Sequence, residues 1–157
     1  MTRIAVLSAV AGALVFAVPA RADDRAVVQA FYDRVLNGTT AGDLPHRIDQ
    51  VLAPNWVTMG NNIGSNDVAY FTKALQGFGQ AIPNLKWEVQ EILVTGNRYV
   101  VRGRATGTPA KPFFGVEPVG KSFDIMSIDI HTVEQGRIVL SFHVEDWAGA
   151  LRQLRGQ

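Results

Sequence analysis

The hydrophobic period of this chain changes once, near Ala81, and that change restricts the fold more than any other feature. Before it, apolar residues recur at helical spacing; after it, they alternate. Val28, Phe31, Tyr32, Val35 and Leu36 share one helical face, with Asp23 or Asp24 placed to cap it and Asn37-Gly38 to end it. A second helix is expected after Asp43, with Leu44, Ile48, Val51 and Leu52 inward, and a third after Asn66, with Val68, Phe71, Leu75 and Phe78. Asn55 to Met59 reads as a short strand between them.

From Ala81 the period is two. Leu85, Trp87 and Val89 alternate with Lys86, Glu88 and Gln90, and Gly96-Asn97 marks a hairpin. Strands follow over Arg98 to Thr108, Lys121 to Val133 and, after the turn Glu134-Gln135-Gly136, Arg137 to Glu145. Trp147 to Leu154 suits a closing helical turn or two. Three helices and then four long antiparallel strands predict an α+β fold, with helices packed on one face of a bent sheet. Pro109 to Gly120, with three prolines and two glycines, is expected to be a surface loop.

Residues 1–22 look like an address. Arg3 precedes the apolar run Ile4 to Val18, and Ala20-Arg21-Ala22 is a small-x-small cleavage site. The run is short for a membrane span. We therefore expect export to the periplasm or beyond, no membrane attachment after cleavage, and one domain over 23–157. Lys and Arg outnumber Asp and Glu by 15 to 14, and the leader holds two of the arginines and no acid, which leaves the domain at −1. Such a balance offers no electrostatic reason to expect nucleic acid. The chain has no cysteine, so disulfides, thiolate metal sites and cysteine nucleophiles are excluded. The only histidines are His46, His131 and His143, with no i,i+4 pair and no H-E-x-x-H pattern, so no metal is expected. No G-x-S-x-G elbow and no phosphate-cradling glycine loop occur.

The end of the last strand, Ser141-Phe142-His143-Val144-Glu145-Asp146-Trp147, raises the chemical question. By strict alternation Ile138, Leu140, Phe142, Val144 and Asp146 share one apolar face, while Ser141, His143 and Glu145 share the other. Asp146 on the core side would be desolvated and suited to general-base work near neutral pH. The competing reading makes it the N-cap of the closing helix. His143 then points away from Asp146 unless a β-bulge intervenes. On the neighbouring strand Asp129 and His131 point the same way, either into a pocket or onto the outer sheet face. Trp56 and Trp147, at strand ends, are candidates for a pocket mouth; Phe113 and Phe114, in the loop, for a lid or a plug.

Several segments are similar to a known family. Gly107-Thr108, Pro112-Phe113-Phe114-Gly115-Val116 and Pro118-Val119-Gly120-Lys121 resemble the GT…G-x-F-x-G-x-x-P-x-G-K stretch of the SnoaL-like polyketide cyclases. Ile82-Pro83-Asn84-Leu85 resembles their F-P-D-L. Gly136-Arg137-Ile138, Asp146 and Gln153-Leu154 resemble their G-K-I…D…Q-L. The resemblance covers most of residues 24–154 and departs from the pattern at Asn84 and in the export leader.

It implies a cone-shaped α+β barrel of the nuclear transport factor 2-like superfamily around an apolar pocket, and a homodimer. It also implies acid/base chemistry without metal or organic cofactor on a small apolar carbonyl-bearing molecule, with Asp146 at the place of the catalytic aspartate. His143 or His131 would orient it. Ile128-Asp129-Ile130-His131 resembles the strand of ketosteroid isomerase-like relatives whose aspartic acid faces the cavity, so Asp129 is a candidate enolate-stabilising acid. Trp56, Phe113, Phe114, Phe142 and Trp147 are the expected ligand-pocket residues. A non-catalytic binding or dimerisation module on the same fold is the alternative.

Overall fold

The computed structural model describes residues 22–60 and 64–157. The expected leader lies almost wholly outside the described residues. Among those described, no helix is long and apolar enough to cross a membrane.

Helix α1, Ala22–Ala30, continues without interruption into a π-helical stretch, Phe31–Val35, and a 3₁₀ turn, Leu36–Gly38. Asp23 and Asp24 therefore lie inside its first turn, not ahead of it. In the π stretch the amide of Leu36 reaches back to the carbonyls of both Phe31 and Tyr32. This widening lets two successive residues, Phe31 and Tyr32, both turn inward; they are 4% and 0% exposed. Helix α2, Leu44–Val51, begins after Asp43, whose carboxylate bonds no helix amide but pairs with Arg47 one turn on, at 2.8 Å. Helix α3, Val68–Ala81, is capped one residue later than expected: Asp67, not Asn66, accepts the Tyr70 amide at 2.8 Å. Helix α4 spans Trp147–Arg155 and ends on Gly156 in the left-handed conformation.

The sheet has six strands: β1 Leu52–Met59, β2 Asn66–Asp67, β3 Lys86–Thr95, β4 Arg98–Gly107, β5 Phe123–Glu134 and β6 Arg137–Glu145. Their spatial order is β2-β1-β6-β5-β4-β3. The fold is α+β as expected, but two points differ. The strand expected over Asn55 to Met59 between α2 and α3 is present as β1, but it starts earlier, at Leu52, and the two-residue β2 follows it. β1 also runs parallel to β6, whereas the other pairings are antiparallel. The ladder does not close into the expected barrel; β2 and β3 remain its two edges. The concave face is filled by side chains of the helices instead, Val28, Phe31, Val35, Leu44, Ile48 and Leu75 among them, packed on Tyr99, Val101, Ile125, Val133 and Ile138.

Three side-chain amides act as extra strand neighbours and fix the periphery. Asn37 accepts from the Trp87 amide at 2.7 Å and donates to its carbonyl at 2.9 Å. Gln153 does the same to Asp124, at 2.8 and 3.0 Å, and so ties α4 to β5. Asn84 accepts from the Thr108 amide at 2.8 Å and donates to its hydroxyl at 3.1 Å. The departure from F-P-D-L thus has a structural use, because an amide both donates and accepts whereas an ionised carboxylate only accepts.

Candidate functional site

A cavity of about 210 Å³ lies between the concave sheet face and helices α1 and α3. Most of its wall is apolar or aromatic: Phe31, Trp56, Phe71, Leu75, Phe78, Trp87 and Trp147. Its polar groups are concentrated on β5 and β6.

A single bulge places them. Thr132 pairs with Leu140 and Val133 with Ile138, so Val139 is an extra residue on β6. Ile138 points inward at 0% exposure, and three residues later so does Ser141 at 2%. The inward residues beyond the bulge are therefore Ser141, His143 and Glu145, not the apolar set that strict alternation selects. They stand across from the inward residues of β5 in three polar pairs: His131 with Ser141, Asp129 with His143, and Ser127 with Glu145.

The bulge also corrects two expectations. Asp146 does not share the buried face of the last strand. It is exposed and lies outside the cavity wall, and its carboxylate accepts the Gly149 amide at 2.7 Å as the N-cap of α4. Phe142 turns to the outer face, where it lies with Ile128, Ile130 and Val144, beneath the guanidinium of Arg98 at 5.9 Å. Phe113 and Phe114 line a separate shallow depression against α3 and do not cover the cavity. They do join an aromatic cluster with Phe78, Phe123 and Trp147; Phe78 stacks on Trp147 at 5.6 Å and Phe113 meets it edge-on at 5.4 Å. Trp56 and Trp147 line the cavity. The structure thus brings together Asp129, His131, His143, Trp56 and Trp147, and leaves Asp146, Phe142, Phe113 and Phe114 apart.

Burial determines the electrostatics. Asp129 is 7% exposed, and desolvation pushes its carboxyl up to about 7; a hydrogen bond from Tyr32 and the nearby His143 oppose that rise. His131 is fully buried, and the same desolvation pushes it down to about 3, so it is neutral at physiological pH. His143 is raised, chiefly by its 3.2 Å hydrogen bond with Glu145. The Tyr32 hydroxyl, 2.9 Å from Asp129 Oδ2 and 3.0 Å from His131 Nε2, is held well above the usual tyrosine range, by burial first and by Asp129 second.

Three members of this group were missed in the sequence. Tyr32 reads as one more residue of an apolar helix stripe; its signal is that a buried tyrosine hydroxyl usually finds a partner, although that of Tyr99 has none among the described residues. Glu145 and Ser141 both read as residues of the face opposite the apolar one, because the bulge is not visible in the continuous apolar run Ile138-Val139-Leu140. Among the described residues no cluster of three or more His, Asp or Glu has metal-binding geometry.

An α+β protein with a helix-covered curved sheet, an apolar cavity and a carboxyl–imidazole cluster at one wall is the class these features define. The chain belongs to the SnoaL-like polyketide cyclase family, whose pattern matches residues 26–154. Solved structures of similar fold include TsrD from Streptomyces laurentii, at 23% identity and TM-score 0.72, covering 88% of this chain and 99% of that one. IdmH from Streptomyces antibioticus is 24% identical with TM-score 0.73, covering 84% and 98%. A SnoaL-like polyketide cyclase from Agrobacterium tumefaciens is 19% identical with TM-score 0.66, covering 83% and 97%. No curated protein matches the chain.

Proposed function

We propose that this protein binds a small, mostly apolar carbonyl compound in the cavity and catalyses cofactor-free acid/base chemistry, with Asp129 as the proton acceptor. The observation that carries the reading is the pairing of Asp129 with His143 at the most polar wall of a mainly apolar cavity. A carboxyl at about 7 is matched to proton transfer near neutral pH. Asp129 takes a proton from a carbon flanked by carbonyls, and the C–H electron pair moves into the carbonyl as an enolate. In an aldol-type closure that enolate adds to a second carbonyl of the same molecule, and the proton returns to the new alkoxide. His143, biased towards its protonated form by Glu145, supplies positive charge across the strand pair to the developing anion. The role first expected of Asp146 passes in this reading to Asp129, and Asp146 anchors α4 beside Trp147.

The test is proton exchange. Aromatic 1,3-dicarbonyl compounds are incubated in D₂O with the protein, and loss of the acidic C–H signal is followed by NMR. Wild type should accelerate exchange, and Asp129→Asn should lower the rate by about 10²-fold or more. Binding without acceleration would abandon catalysis in favour of the binding-module reading. Export remains part of the proposal, supported by the leader pattern of residues 1–22. A homodimer does too, supported by the apolar outer sheet face around Ile128, Ile130, Phe142 and Val144.

A further inference from the structure

Four residues behind Asp129 form one continuous hydrogen-bonded chain. Trp56 Nε1 lies 3.0 Å from Ser141 Oγ, which lies 2.8 Å from His131 Nδ1. His131 Nε2 lies 3.0 Å from the Tyr32 hydroxyl, which lies 2.9 Å from Asp129 Oδ2. Trp56, Ser141, His131 and Tyr32 are each no more than 2% exposed, so the chain is shielded from bulk water. Phe31 packs edge-on against the His131 ring at 5.0 Å and holds its plane.

The direction of these bonds is constrained. An indole N–H only donates, so the Ser141 oxygen accepts from Trp56. The Ser141 proton then goes to His131 Nδ1, which places the imidazole proton on Nε2. Nε2–H donates to the Tyr32 oxygen, and the Tyr32 proton goes to Asp129. Run the other way, from Asp129 towards Ser141, the chain brings two donors to the Ser141 oxygen and leaves the serine proton with no acceptor inside it. Only the first direction satisfies every proton, and a buried unsatisfied donor costs about 1–3 kcal/mol.

We propose that Trp56 and Ser141 are positioning residues which, acting through His131 and Tyr32, hold Asp129 as a hydrogen-bond acceptor ready to take a proton. The inference rests on the reading of Asp129 as the base. The other groups facing Asp129 are His143 directly opposite on β6 and, diagonally, Glu145. Both lie on the cavity side and outside the chain. The neutral state of His131, enforced by burial, is what allows the imidazole to donate at one nitrogen and accept at the other.

Long-range ¹H–¹⁵N correlation on the full chain reads the His131 tautomer, and ¹³C-carboxyl titration reads Asp129. Wild type should show a single Nε2–H tautomer between pH 6 and 8. Ser141→Ala should admit the Nδ1–H form, turn the Tyr32 proton from Asp129 to Nε2, and raise the Asp129 midpoint by about one pH unit, because the ionised carboxyl loses a donor. Trp56→Phe should move both readouts the same way. Ser141→Thr, which keeps the hydroxyl, should restore both. An Nδ1–H tautomer in wild type, or an Asp129 midpoint unmoved in both Ser141→Ala and Trp56→Phe, would overturn the proposal. Neither readout needs turnover, so loss of the relay and loss of the exchange activity are separately observed.

Discussion

Asp129 and His131 sit two residues apart on one strand face, and burial displaces them in opposite directions. A carboxyl at about 7 in the folded state, against about 3.9 unfolded, gives the folded state the extra proton between those values. Its contribution to stability therefore falls as pH rises from about 4 to 7. An imidazole at about 3 folded, against about 6.5 unfolded, gives the extra proton to the unfolded chain. Its contribution is complete above about 6.5 and is lost as pH falls towards 3. Each slope is about 1.4 kcal/mol per pH unit, and they oppose one another between about pH 4 and 6.5. Urea unfolding across that window should find wild type nearly flat. Asp129→Asn should gain stability with rising pH, because His131 alone remains, and His131→Gln should lose it. Equal slopes in wild type and Asp129→Asn would refute the assignment. Above that window His143, raised by Glu145, contributes stability that is lost as pH rises through its folded value.

At the scale of elements, the contact between β4 and β5 is as consequential as the bulge in β6. Gly103 pairs with Ser127, and a Cβ built on Gly103 would stand 2.5 Å from Ser127 Oγ. That hydroxyl is itself buried without a hydrogen-bond partner among the described residues. Ser127→Ala should therefore leave stability unchanged or raise it by about 1 kcal/mol. Gly103→Ala should cost about 1–3 kcal/mol by overpacking, and the double variant should recover most of that loss, since the next atom, the Glu88 carbonyl oxygen, lies at an ordinary contact distance of 3.7 Å. Thermal unfolding of the three variants tests this, and independent, additive effects would count against it. These elements also show what was legible in the sequence. The period-two pattern of β5 correctly put Phe123, Ile125, Asp129 and His131 on one face, because no bulge interrupts that pairing. On β6 the same reasoning inverted the second half of the strand: one extra residue, Val139, changes every later parity, and three consecutive apolar residues conceal it. The parallel pairing of β1 with β6 was equally hidden, since a short strand does not carry the direction of its partner.

On the scale of the whole molecule, a bent sheet has two faces, and the helices cover only the concave one. The outer face carries Ile128, Ile130 and Phe142, with Met126 and Val144 left 56% and 53% exposed. The inward turn of Ser141, His143 and Glu145 is what sends Phe142 and Val144 outward, so the bulge that builds the polar cavity wall also builds this apolar surface. Two neighbouring strands thereby present a continuous apolar strip, the kind of surface that marks an association site rather than ordinary solvent contact. A second copy of the chain is the partner proposed here: the strip is the same on every copy, and a two-fold arrangement pairs a patch with itself. A stable interface of this kind needs about 800 Å² from each partner. Sedimentation should give twice the chain mass for wild type at micromolar concentration. Val144→Asp combined with Met126→Asp should give the single-chain mass, because each places an unpaired charge in a desolvated contact. Binding of an apolar dicarbonyl compound should survive in the variant, since both residues lie on the opposite side of the sheet from the cavity. A wild type that sediments as a single chain at tens of micromolar would refute self-association through this face, while a variant that loses ligand binding together with its dimer would mean that the two faces of the sheet are coupled through β5 and β6.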